Sequence, residues 1–90
     1  MNETIFEFVV RQPENEEAGL IEKLIEKLDS ISGVVKVDKE IITQSLKIKV
    51  KVEFDNSKSA EKLHRKLIRT FNQMSGVILT GVSTNLTDIY

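Results

Sequence analysis

The segment from Leu46 to Phe54 alternates strictly between apolar and charged side chains over nine residues. Its apolar members are Leu46, Ile48, Val50, Val52 and Phe54, and its charged members are Lys47, Lys49, Lys51 and Glu53. Because successive side chains of a strand point to opposite faces, this period of two predicts a strand with one buried face and one face in water. A sheet of that kind is antiparallel and is covered by other elements on one side only.

Three further strands are predicted from β-branched and aromatic residues bounded by turn-forming residues. They cover residues 4–11, residues 33–38 with an extension as far as Ile41, and residues 77–84. In the first of them, Phe6 shares the buried face with Phe8 and Val10, so alternate residues such as Ile5 face outward. The chain therefore supplies four strands.

Two helices are predicted from apolar residues that recur every three or four positions. Asn15 is expected to cap the first helix, which ends near Gly33, and the second helix covers residues 57–74. Ser57 and Ser75 flank the second helix and are interpreted as cap and turn residues rather than as nucleophiles.

The element order βαββαβ predicts an α+β fold, the ferredoxin-like sandwich, in which two helices cover one face of a four-stranded antiparallel sheet. The pattern Glu-Lys-Leu-x-x-Lys-Leu occurs in both helices, at residues 22–28 and 61–67, which agrees with two βαβ halves. A chain of 90 residues has room for one such domain, predicted at residues 1–84, with residues 85–90 as a C-terminal tail.

Several kinds of chemistry are excluded by what the chain lacks. It has no cysteine and a single histidine, His64, so it cannot form a disulfide, a cysteine nucleophile or a specific transition-metal site from one copy. His64 falls at the edge of the apolar stripe of the second helix, where a packing role is the simpler interpretation. The acidic loop at residues 12–17 would repel phosphate. We therefore expect no enzyme, no catalytic or metal-binding residues and no cofactor.

Charge is divided unevenly along the chain. Residues 1–40 contain ten acids and five bases, a net charge of −5, whereas residues 41–90 contain eight bases and four acids, a net charge of +4. The second helix carries a stripe of bases that includes Lys62, Arg65 and Arg69. Complementarity between the two helices is the simplest interpretation. The alternative is a surface that docks onto an acidic partner, an anionic lipid surface or a second copy.

A second candidate surface is the open face of the sheet, where Ile5 and Val9 are predicted to project beside the lysines of the third strand. Either Ile78 and Val82 or Val77 and Leu79 are expected to join them from the fourth strand, and the candidates on this face are Ile5, Val9 and Leu79. Together with Lys62, Arg65 and Arg69, these are the candidate interaction residues. Because a chain of this size buries a modest share of its surface, a homodimer is expected. No nucleic-acid partner is expected, because the net charge is only −1 and no aromatic residue accompanies the lysine row.

Membrane insertion and secretion are not expected. No run of about 18–20 apolar residues is present, and the residues after Met1 are acidic rather than basic. The predicted location is the cytoplasm.

Residues 19–21 (Gly-Leu-Ile) resemble the glycine–aliphatic–aliphatic signature of ACT-type regulatory domains. Residues 59–82 are similar to the second half of the ACT domains that end stringent-response synthetases and to the ACT-like cytoplasmic tail of MgtC-type membrane proteins. The positions that carry this similarity are Leu63, Leu67, Phe71, Asn72, Gln73, Met74, Gly76, Val77 and Ile78. The resemblance spans residues 4–84 and implies a non-catalytic regulatory domain, dimeric and part of a larger protein, that senses a small effector.

Two other functions stay open. One is a pure protein–protein assembly module without a small ligand. The other, a weaker alternative, is a metal- or anion-binding domain of the heavy-metal-associated type, which residues 31–34 (Ile-Ser-Gly-Val) and Val37 also resemble. The paired cysteines of that family are missing here.

Overall fold

The computed structural model describes residues 2–11 and 18–83, and these residues form the predicted βαββαβ order. The elements are β1 (Asn2–Arg11), α1 (Ala18–Asp29), β2 (Val34–Ile42), β3 (Ser45–Phe54), α2 (Ser57–Gln73) and β4 (Leu79–Ser83). The ferredoxin-like α+β fold is therefore confirmed. No helix within the described ranges is long and apolar enough to cross a bilayer.

The sheet has the strand order β2-β3-β1-β4, and every neighbouring pair is antiparallel. The central strands β1 and β3 pair without interruption from Asn2 opposite Phe54 to Arg11 opposite Ser45. This register places Val50, Ile48 and Leu46 of β3 opposite Phe6, Phe8 and Val10 of β1. The alternation predicted from the sequence is confirmed, because all five apolar residues of β3 are buried.

The core lies between the helices and one face of the sheet. Its members are Phe6, Phe8, Val10, Ile21, Leu24, Leu28, Leu46, Ile48, Val50, Val52, Phe54, Ala60, Leu63, Leu67, Phe71 and Met74. Phe8 of the central strand β1 packs against Phe71 of α2, with ring centroids 4.6 Å apart and the rings tilted by 35°. The other face of the sheet has no covering layer among the described residues and is called the open face below.

The N-terminus of α2 differs in detail from the prediction, because its cap is Asn56 and not Ser57. The Asn56 Oδ1 atom accepts a hydrogen bond of 3.0 Å from the Ser59 backbone N–H, and the Ser59 Oγ atom accepts one of 3.1 Å from the Asn56 N–H. This reciprocal pair satisfies two backbone donors that the first turn of a helix leaves without partners.

Strand limits differ from the prediction by a few residues. β1 begins at Asn2, β2 continues to Ile42, and β4 begins only at Leu79. β4 starts later because the Val77 backbone N–H donates to the Met74 carbonyl in the turn that follows α2. The predicted cap Asn15 and the predicted tail at residues 85–90 lie outside the described residues.

Candidate functional site

The open face of the sheet is a ladder of paired charges. Lys47 and Lys51 of β3 contact Glu7 and Glu3 of β1, with nitrogen–oxygen distances of 3.6 and 3.2 Å. Lys49 contacts Glu40 of β2 at 3.5 Å. Each lysine of the alternating segment thus has a carboxylate on a neighbouring strand, so these lysines serve cross-strand pairing and leave little free charge for a ligand.

Ile5 and Val9 project from β1 onto this open face, as predicted. Ile5 lies opposite Lys51 and Val9 lies opposite Lys47. Val9 also lies opposite Gly81 of β4, and its side chain is half-buried. The two apolar residues are separated along the strand by Glu7, so the described open face holds single apolar side chains between charges.

The placement of Leu79 on the open face is wrong. Leu79 pairs with Val10, a core residue, and packs against the core. Thr80 is an extra residue in β4 at this point, and its hydroxyl donates to the Val9 carbonyl at 3.1 Å. This bulge shifts the alternation of β4, so Leu79 faces the helices.

The outer surface of α2 forms the second candidate surface. Its five bases define the α2 basic stripe: Lys58, Lys62, Arg65, Lys66 and Arg69. All five are exposed, and they recur at three- and four-residue spacing, so they lie along one face of the helix. The buried residues of α2 occupy the opposite face. Because α2 covers the core face of the sheet, the stripe and the open face lie on opposite sides of the molecule.

The charges of the α2 basic stripe are not neutralised as those of the sheet are. The four ion pairs among the described residues all involve lysines of β2 or β3, and none includes a base of the stripe. In particular, the described part of the chain has no ion pair between α1 and α2. The expected complementarity between the two helices is therefore not realised as direct pairing.

A groove of about 480 Å³ opens beside the first turns of α2, between this helix and the end of β3. Lys62 and Lys66 of the stripe line one part of it, and Glu53 and Asp55 line another. Leu63 supplies apolar lining. The groove brings both signs of charge together around an apolar surface.

His64 packs against the core, which agrees with the boundary position predicted for it. Its ring meets the edge of Phe6 with centroids 4.7 Å apart and stacks on Phe8 at 5.8 Å. The Nε2 atom is buried and has no hydrogen-bond partner within the described ranges. Burial lowers the pKa of His64 below 6.5 because the charged form loses its hydration.

This environment predicts that acid destabilises the protein through His64. The unfolded chain binds a proton with a pKa near 6.5, whereas the pKa in the fold is lower. As the pH falls below about 6.5, the unfolded state therefore takes up more protons, and the free energy of unfolding decreases until the lower pKa is passed. Urea unfolding at pH 7.5, 6.5 and 5.5 measures this slope.

His64→Leu keeps the apolar packing and removes the titrating group, so we expect its free energy of unfolding to change less over this range. If the free energy of unfolding of this variant depended on pH as strongly as that of the parent protein, the assignment to His64 would be contradicted.

No candidate metal centre is formed by the described residues. They contain no group of three or more His, Cys, Asp or Glu side chains able to hold a metal ion. Apart from His64, they contain no buried side-chain nitrogen or oxygen that lacks a hydrogen bond.

The solved structures that resemble this chain include the following two. The Rv0793 protein of Mycobacterium tuberculosis superposes with a TM-score of 0.51 and 8% sequence identity, over 91% of this chain and 89% of that one. The de novo designed protein Foldit4 superposes with a TM-score of 0.53 and 19% sequence identity, over 93% of this chain and 99% of the designed chain. At these identities the similarity concerns the fold alone. No protein-family model matches the chain, and no curated protein sequence matches it significantly.

Sequence reasoning missed the groove, because its lining comes from the turn after α1, the end of β3 and the start of α2. No single motif carries that combination. The lack of pairing in the α2 basic stripe was also not foreseen, although the regular spacing of its bases indicated a single charged face.

Proposed function

We propose that this protein is a non-catalytic interaction domain that binds an acidic segment of a partner protein through the α2 basic stripe. The observation that carries the proposal is the contrast between two sets of bases. The lysines of β3 each contact a carboxylate of the same chain, whereas the five bases of α2 are exposed and contact none in the described ranges.

The geometry of the stripe supports a linear, charged partner. Lys58 and Arg69 are eleven residues apart, which is about 16 Å along a helix. Five positive charges lie within that length, and Glu61 is the acidic residue among them. Neighbouring charges are therefore closer than the Debye length of about 8 Å at physiological ionic strength, so their fields add. Such a surface steers an oppositely charged partner and fixes its orientation.

An acidic segment fits this surface better than a bilayer does. Helices that lie in membrane interfaces combine basic residues with large apolar or aromatic side chains that enter the lipid. Among the residues that the structure describes, the exposed large apolar ones are Ile5, Val35, Ile41, Ile42, Ile78 and Val82, and none of them is in α2. The stripe offers charge without an apolar anchor, which favours a partner held by carboxylates.

Binding of a fluorescein-labelled decaglutamate peptide, followed by fluorescence anisotropy at 20, 100 and 300 mM NaCl, tests this function. We expect binding at low salt that weakens steeply as salt increases, because exposed charges are screened. Arg65→Glu/Arg69→Glu should weaken binding at 20 mM NaCl by at least tenfold, since two attractive charges become repulsive.

Lys23→Glu/Lys27→Glu is the matched control, because it makes the same change of charge on exposed positions of α1. The control should keep most of the affinity. Equal losses in both double variants would mean that net charge alone is responsible and would contradict a specific surface. Binding to anionic vesicles without binding to the peptide would contradict an acidic protein partner.

A regulatory role is the second candidate, and the groove beside α2 is the observation that favours it. We propose that a small polar effector would occupy this groove, which would suit the ACT-like resemblance. A thermal-shift screen across amino acids, nucleotides and divalent cations should then give a ligand that raises the melting temperature by mass action. Lys66→Ala should abolish that shift, and a flat screen would contradict effector binding.

The glycine of the ACT-like signature gives this role no additional support. Gly19 is the second residue of α1, and a methyl group there would meet no atom within 4 Å. No close approach of protein atoms in the described fold requires a glycine at this position. An effector site is therefore proposed from the groove and not from residues 19–21.

A further inference from the structure

The groove beside the first turns of α2 adjoins the α2 basic stripe, and the two have Lys62 and Lys66 in common. The α2 residues that line the groove are Ser59, Lys62, Leu63 and Lys66. Their spacing of three and four positions places them along one flank of the helix. This flank joins the exposed stripe to the buried residue Leu63, so a partner that covers the stripe lies directly beside the groove.

Part of the groove lining belongs to the core and is held in place by the fold. Leu63 and Phe54 line the groove, and both are core residues that are less than one tenth exposed. The turn after α1 also lines it, where the Glu53 N–H donates to the Gly33 carbonyl at 2.8 Å. A site that is formed before binding costs less conformational entropy when a ligand enters.

The charges around the groove favour an uncharged side chain inside it. Asp55 lines the groove and contacts no base among the residues that the structure describes. A carboxylate that entered would be repelled by Asp55 and would lose water against Leu63. A cation that entered would be repelled by Lys62 and Lys66. An apolar side chain meets neither cost, and it leaves both ammonium groups available to carboxylates outside the groove.

The size and position of the groove fit one large side chain in the middle of a bound segment. Its volume of about 480 Å³ falls within the range of small-molecule sites, roughly 300–1,000 Å³. Its α2 lining extends from Ser59 to Lys66, and this span is centred on nearly the same point as the stripe from Lys58 to Arg69. An apolar side chain in a pocket surrounded by polar contacts is the arrangement that contributes most to affinity at protein interfaces.

We propose that the groove takes one large apolar side chain from the middle of the acidic segment that binds the α2 basic stripe. The partner is thus a segment in which carboxylates flank a residue such as phenylalanine. This inference rests on the proposed binding of an acidic segment, and it assigns the groove to the partner rather than to a small effector.

Two labelled peptides of equal charge test the proposal by fluorescence anisotropy at 20 and 100 mM NaCl. Each has ten residues, with phenylalanine or alanine at the fifth position and glutamate at the other nine. We expect the phenylalanine peptide to bind about fivefold more tightly or better, because burial of its ring adds to the attraction between charges. The ratio of the two affinities should be the same at both salt concentrations, since salt screens only the charges.

Ser32→Trp places a large side chain at the groove and should remove most of the advantage of the phenylalanine peptide while leaving the alanine peptide unaffected. Ser32 is exposed and lines the groove. Ser75→Trp is the matched control, because Ser75 is also exposed and lies in the turn after α2, outside the lining. Arg65→Glu/Arg69→Glu should weaken the binding of both peptides by the same factor.

Heteronuclear NMR of the parent protein gives a readout that does not depend on the folding of a variant. The amides of Ser32 and Gly33 should shift with the phenylalanine peptide and not with the alanine peptide. Equal affinities for the two peptides, or an advantage that Ser32→Trp does not reduce, would overturn the inference and leave the proposed function in place. Binding of neither peptide at 20 mM NaCl would overturn both.

Discussion

Replacing Phe8 by alanine is expected to lower the free energy of unfolding by about 3–5 kcal/mol. Phe8 is fully buried in the central strand β1 and contacts the rings of Phe71 and His64 of α2. Truncation removes a large apolar side chain at the junction of the sheet and the helix layer and leaves a cavity that neighbouring residues fill only in part. A domain of this size is stabilised by about 5–13 kcal/mol, so the loss is a large share of the total.

Ile5→Ala is the control for this prediction, because Ile5 lies on the same strand and points to the open face. Its side chain is 44% exposed, so the cost should stay within about 1 kcal/mol. Urea unfolding followed by circular dichroism measures both variants. If Phe8→Ala and Ile5→Ala lowered the free energy of unfolding equally, the assignment of the core to the helix-covered face would be contradicted.

Gly33→Ala is expected to lower the free energy of unfolding by about 1–3 kcal/mol. Gly33 has a φ of +99°, a conformation that residues with a Cβ rarely adopt. A methyl group there would also lie 3.1 Å from Leu63 Cδ2 and 3.3 Å from the Glu53 carbonyl oxygen. The carbonyl can yield little, because the adjacent Glu53 N–H donates to Gly33 O at 2.8 Å and holds the turn against β3.

Gly19→Ala is the matched control, since the same substitution is made in a helix with free space around it. Alanine has the higher helix propensity, so this variant should be as stable as the parent or more stable by up to about 1 kcal/mol. Thermal and urea unfolding of both variants give the comparison. A loss at Gly19 as large as the loss at Gly33 would contradict the geometry of the turn after α1.

The sequence predicted the sheet well because its two central strands carry clear patterns. The alternation from Leu46 to Phe54 specifies which face is buried, and β1 has the same pattern around Phe6 and Phe8. A one-residue slip between these strands would expose every core residue of one of them, so the register follows from burial. The limits of the helices and strands depend on single hydrogen bonds, as at Asn56, and were predicted less closely.

The error at Leu79 has a specific physical cause. Within a regular strand, residues three positions apart face opposite sides of the sheet, so Leu79 and Val82 would lie on opposite faces. The bulge at Thr80 places both opposite core residues of β1, because Leu79 pairs with Val10 and Val82 pairs with Phe8. A bulge adds one residue without changing the hydrophobic pattern strongly, so the sequence gives little sign of it.

The candidate site was predicted in part. Lys62, Arg65 and Arg69 lie on one exposed face of α2, as their spacing indicated. What the sequence could not provide is the pairing of charges between distant segments. Contacts such as Lys51 with Glu3 depend on which strands become neighbours, and only the folded chain distinguishes these neutralised lysines from the bases of α2.

The central claim is that the α2 basic stripe is the binding surface and the open face is not. Titration of ¹⁵N-labelled protein with the decaglutamate peptide, followed by heteronuclear NMR, tests it residue by residue. We expect the largest chemical-shift changes at the amides of Lys62, Arg65 and Arg69, with little change at Lys47 and Lys49. Changes concentrated on β3 and β1, or absent at a tenfold excess of peptide in 20 mM NaCl, would contradict the account.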